Sequence, residues 1–124
     1  MRDFIKYGRC VATGMKFRDW KDGDAGHYHS MGGHGVYSGF SDLNIHLQSK
    51  TSNGFGGQAD GHAFGEELKK RYGKNILKRL LLDTQIHAKD NDAFHYNKIQ
   101  EIYEKFKKLK EENPNYRFPD YLES

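Results

Sequence analysis

The sequence has a single cysteine, Cys10, so it can form no internal disulfide and cannot complete a cysteine-built zinc site. One thiol also fits a reducing compartment. No apolar run approaches membrane-spanning length, and the N-terminus carries no apolar signal segment. A cytoplasmic protein with no membrane contact is the default expectation. No Walker loop, Rossmann fingerprint or nucleophile elbow is present, which removes the commonest nucleotide-binding and hydrolase classes. Hydrophobic residues make up only 35% of 124 residues, so a single domain with a modest core is expected. A metal, a partner or bound nucleic acid would supplement such a core.

Glycine, histidine and lysine are plentiful. The 14 glycines and 7 histidines gather mainly in residues 1–62, while residues 63–112 are charged and helically periodic and 113–124 form an irregular tail. Net charge is only +3. Lys69, Lys70, Arg71, Lys74, Lys78 and Arg79 are nonetheless concentrated, and Lys105, Lys107, Lys108 and Lys110 form a second cluster. Such clusters suit a polyanion, or else a solvated helix face.

The run Cys10–Gly14 reads as a tight turn ending in glycine. Gly26–His29 and Gly35–Phe40 read as short strands of a hairpin around the glycine-rich 31–35, with Asp42–Leu47 as a connecting element. Gly54–Gly61 reads as a loop. Phe64, Leu68 and Tyr72 lie four apart on a helix that Gly73 caps. Ile76, Leu77 and Leu80–Leu82 continue as a second helix. Asp90 or Asp92 caps a third, with Ile99, Ile102, Tyr103, Phe106 and Leu109 as its apolar face, and Pro114 stops it. The expected core comprises Leu68, Tyr72, Ile76, Leu77 and Leu80. Phe17 and Trp20 belong to that core or stack on bases.

Four histidines between positions 27 and 46, with Asn44 and Asn53 nearby, match the needs of a one-metal phosphodiesterase. Imidazole can take a proton from water near neutral pH. Carboxylate and carboxamide oxygens suit Mg²⁺ or Mn²⁺, and imidazole shifts preference toward other transition metals. Scattered loop histidines are the competing explanation.

The run Asp24-Ala25-Gly26-His27-Tyr28, then Phe40, then Asn44-Ile45-His46-Leu47-Gln48, then Asn53, then Phe64 to Gly73, resembles the NinG recombination-protein family of lambda-like phages. That family's pattern is Cys-x-x-Cys-Gly, Ala-Gly-His-Tyr, Asn-x-His-x-Gln-Cys-x-x-Cys-Asn and a helix ending in Tyr-Gly or Ile-Gly. The resemblance covers residues 4 to 110. It implies an α+β fold, with an HNH (ββα-metal) hairpin-helix core followed by C-terminal helices. It also implies a metal-dependent endonuclease acting on DNA, including branched recombination intermediates, in the cytoplasm of a bacterial host. A homodimer would suit the cutting of two strands.

On the same resemblance, His27 is the general base, Asn44 braces the hairpin, and Asn53 ligates a divalent cation. The ligand directly before the base would fall at Gly26, so Asp24, His29 and His62 are the candidate partners. His46 orders the loop or faces DNA, and Lys69, Lys70, Arg71, Lys74, Lys78 and Arg79 contact phosphates. The family's cysteine pairs fall at Cys10 and Thr13, and at Ser49 and Ser52. With one thiol among these four, no structural zinc is expected, and the hydroxyls would hydrogen-bond in its stead. Two alternatives stand beside the nuclease. One is a non-catalytic nucleic-acid-binding protein on a degenerate HNH scaffold; the other is an interaction module using the 92–110 helix.

Overall fold

The computed structural model describes residues 1–29, 41–54, 60–85 and 92–118. The expected strand at 35–40, its glycine-rich turn and His34, most of the 54–61 loop, and Asp90 lie outside them. The chain divides into two compact units: Asp3–Ala88, and Lys89–Ser124 together with Met1–Arg2.

Helix α1 (Arg2–Lys6) opens the chain. The Cys10–Gly14 turn follows, closed by Gly14 N–H donating to the Cys10 carbonyl at 2.9 Å. Gly14 takes φ +76°, where a Cβ would be strained. A 3₁₀ turn, Trp20–Asp22, is capped by Asp19, with Asp22 returning the bond in a capping box. It leads into β1 (Gly23–His27), which pairs antiparallel with β2 (Ile45–Ser49). A short helix, α2 (Lys50–Asn53), follows directly, with Ser49 as its N-cap. Then come α3 (Gly61–Tyr72) and α4 (Ile76–Asp83), and, in the other unit, α5 (Asp92–Glu112). This is a small α+β protein: a β-hairpin, a short helix, then further helices. Among the described residues no helix is long and apolar enough to cross a membrane.

Among the described residues, β1 has a partner that was not expected to be a strand. Ile45–Ser49 covers much of the run read as a connection, and it is a strand buried on both faces, with His46, Leu47, Gln48 and Ser49 all enclosed. Most of its polar side-chain atoms find partners inside the protein, Gln48 Oε1 excepted, and this disguises a core strand as a polar linker. Strand alternation sets Asp24 and Gly26 on one face of β1 and Gly23, Ala25 and His27 on the other. At Gly26 a Cβ would stand 2.9 Å from Gln48 Cβ and 3.0 Å from Gln48 Cδ, so only glycine allows that approach.

The core of the first unit is Val11, Phe64, Leu68, Ile76 and Leu80, flanked by Ala12, Tyr28, Leu43 and Leu77. The four-residue spacing in α3 buries Phe64 and Leu68, whereas Tyr72, expected in the core, is 37% exposed. Gly73 ends α3 as expected, at φ +102° with its N–H on the Lys69 carbonyl. Leu81 and Leu82 of α4 face outward. In α5, Ile102, Tyr103, Phe106 and Leu109 are half-buried along one face, while Ile99 is exposed.

Candidate functional site

The fixed point of the hairpin is Asn44, buried to 1% exposure. It stands at the end of a turn whose bond runs from Asn44 N–H to the Ser41 carbonyl at 3.0 Å. Its carboxamide clamps the opposite strand's extension at both backbone groups. Oδ1 accepts from His29 N–H at 2.8 Å, and Nδ2 donates to the His29 carbonyl at 2.9 Å. Tyr28 N–H donates to the Asn44 carbonyl at 3.0 Å. These three bonds extend the pairing beyond β1 and fix the backbone immediately after His27, which is half-buried at the strand end.

On the other face of β1, Asp24 lies two residues before Gly26 and so shares its side of the strand. Asn53 Nδ2 stands 3.3 Å from Asp24 Oδ2, and Lys50 Nζ 2.8 Å from Asp24 Oδ1. The hydrogen bond from Lys50 holds the Asp24 carboxyl below its ordinary range; burial opposes this slightly, and Asn53 adds to it. Asp24 and Asn53 are therefore brought together. The His29 ring packs edge-on against Tyr28 at 4.8 Å, and His62 is exposed on the first turn of α3. Among the described residues no group of three or more His, Cys, Asp or Glu side chains is arranged to hold a metal ion. Both Asp24 oxygens have partners within the protein, the Lys50 ammonium and the Asn53 carboxamide N–H, so a hard divalent cation would have to displace one of them to use this carboxylate.

Cys10, Thr13, Ser49 and Ser52 converge. Cys10 Sγ accepts from Thr13 N–H at 3.4 Å and from Ser49 N–H at 3.2 Å. Ser49 Oγ accepts from Ser52 N–H at 3.1 Å, and Gln48 Nε2 donates to Ser52 Oγ at 2.9 Å. Each pair is the same device: a side-chain acceptor at one residue and an amide donor three residues on. Burial works to raise the Cys10 thiol's pKa, but hydrogen bonds with the Thr13 side chain and the Ser49, Thr13 and Ala12 backbone outweigh it and lower the value.

Two residues expected to face DNA are inside instead. The His46 side chain has no exposed surface, and that of Arg71 is 2% exposed. Arg71 donates to Asp3 and Glu67, each at 3.3 Å, and its guanidinium lies 3.7 Å over the Tyr7 ring. Neither can reach a phosphate: burial opposes the DNA-facing role for His46 and leaves its loop-ordering role open, while Arg71 is corrected from a phosphate contact to the centre of a buried ion network with Asp3 and Glu67. Lys69 is half-buried on Glu66 at 2.7 Å, whereas Lys70, Lys74, Lys78 and Arg79 are exposed. Lys50 was not anticipated. Only the strand register brings it to Asp24, and no local pattern signals that.

No family model, curated protein or solved structure matches the chain.

Proposed function

We propose that this chain is a DNA endonuclease of the HNH kind, dependent on one divalent cation, with His27 as general base. The observation behind this reading is His27, half-buried at the end of β1 with the backbone directly after it held by the Asn44 clamp; the clamp itself is the brace the NinG resemblance assigns and suits a catalytic or a degenerate scaffold equally. The convergence of Cys10, Thr13, Ser49 and Ser52 supports the same ancestry. In this reading His27 accepts the proton of a water as its oxygen attacks the scissile phosphorus, and the departing ester oxygen takes a proton from solvent. Asp24 and Asn53 would hold the cation, which supplies charge stabilisation on the phosphate and leaving oxygen. Exposed Lys70, Lys74, Lys78 and Arg79 would meet flanking phosphates. The preferred substrate, on the family resemblance, is branched DNA.

Two observations favour a second reading: the Lys50 ammonium already gives the Asp24 carboxylate a cation from the protein, and strand alternation sets Asp24 and His27 on opposite faces of β1. On that reading the chain is a nucleic-acid-binding protein on a degenerate scaffold. Linear duplex, single-stranded and four-way-junction DNA incubated with Mg²⁺, Mn²⁺ or EDTA separate the two. Cutting that needs metal supports the endonuclease. Salt-sensitive binding without cutting in any metal supports the binder.

A further inference from the structure

His46 lies on β2, two residues from the clamp, with its imidazole fully enclosed. Nδ1 is 2.8 Å from Asp3 Oδ2, and Nε2 is 3.0 Å from the Leu43 carbonyl oxygen. Both neighbours are acceptors. A carbonyl has no proton to give. Asp3 Oδ2 also accepts from Leu47 N–H at 2.9 Å and Arg71 Nη1 at 3.3 Å, as a carboxylate does. A neutral imidazole has one N–H, so one of the two contacts would oppose a nitrogen lone pair to an oxygen lone pair in a dry interior.

We infer that His46 is held as an imidazolium donating at both nitrogens, and that it is the positioning residue that latches the 41–44 turn and so aims Asn44 at His29. The groups facing it agree. From α1 comes Asp3; from α3 come Arg71, paired with Glu67, and the rings of Phe64 and Tyr72 at 6.0 and 5.6 Å. Across the sheet its partner is Gly26, which carries no side chain. Two carboxylates, Asp3 and Glu67, thus offset Arg71 and His46, while Arg9 approaches Glu67 from the surface. The latch is local: Leu43, whose carbonyl takes the Nε2 proton, directly precedes Asn44. Its consequence for cleavage rests on the nuclease reading; its protonation and its hold on the turn do not.

Long-range ¹H–¹⁵N spectra of the wild-type imidazoles at about pH 7.5 read the protonation of each nitrogen. Both His46 nitrogens are expected to be protonated; a single protonated nitrogen overturns the inference. His46→Phe keeps a ring and removes both donors. In the folded variant, His29 amide exchange is expected to rise roughly tenfold against the α3 amides, matching the loss of about one hydrogen bond. Unchanged His29 exchange overturns the latch. Should that variant not fold, His46→Met, which likewise has no donor, takes its place with the same two outcomes.

Discussion

Removing the Asn44 carboxamide strips two hydrogen bonds from one residue, His29, at 2.8 and 2.9 Å. In Asn44→Ala the His29 N–H and C=O lose these partners in a half-buried setting. Each unpaired buried group costs about 1–3 kcal/mol, so partial access of water leaves a total of about 2–4 kcal/mol. That is a large part of the roughly 5–15 kcal/mol that holds a small domain together. Asn44→Asp sharpens the test. An ionised carboxylate still accepts from His29 N–H but turns an oxygen on the His29 carbonyl. The protonated acid can donate there and restore both bonds. The folded state therefore favours the neutral form and raises the introduced carboxyl's pKa above its ordinary value of about 3.9. Stability gained this way is present below that value and is lost as pH rises through the raised one. Urea unfolding of wild type and variant at about pH 4 and pH 7 should show the Asn44→Asp deficit growing with pH. An equal deficit at both pH values, or an Asn44→Ala cost below about 0.5 kcal/mol, as for ordinary surface substitutions, refutes the clamp.

Lys50→Met should let the Asp24 carboxyl rise toward its ordinary value of 3.8. Because the depressed value stabilises the fold above that point and the gain is lost as pH falls through it, the variant loses stability at neutral pH. With side chains 64% and 35% exposed, that loss stays below about 1 kcal/mol. A carboxyl-detected NMR titration of Asp24 reads the shift, and Mn²⁺ should bind more tightly once the ammonium is gone; an unmoved titration contradicts the pairing. Thr13→Cys, Ser49→Cys and Ser52→Cys combined should create a tetrahedral site with Cys10 that binds one Zn²⁺, seen as Co²⁺ thiolate absorption. A folded triple variant that binds no zinc would show that the four positions do not converge closely enough.

Local signals in the sequence were reliable where the determining contacts are local. The α3 helix and its end at Gly73 follow from a four-residue apolar spacing and a glycine at positive φ. The Cys10–Gly14 turn is read the same way. Strand β2 was hidden because Asn44, His46, Gln48 and Ser49 are among the most enclosed residues of the chain, and polar side chains signal exposure unless their partners are known. Those partners, Asp3 for His46 and Cys10 for Ser49, lie 43 and 39 residues away. Arg71 misleads for the same reason: within a run of basic residues, its contacts with Asp3, Tyr7 and Glu67 set it apart, and the first two are distant in sequence. At the candidate site, the Asn44 brace followed from the resemblance, but Asp24 was one of three open partners for Asn53, and only the strand register sets it beside Asn53 and Lys50.

The central claim is that His27 performs the chemistry, and cleavage by wild type beside His27→Ala on the best-cut DNA, in the activating metal, tests it most directly. A variant with an unchanged circular dichroism spectrum and unfolding midpoint, cutting about 10²–10⁴-fold more slowly, is the predicted result. A folded His27→Ala that cuts at the wild-type rate would contradict it.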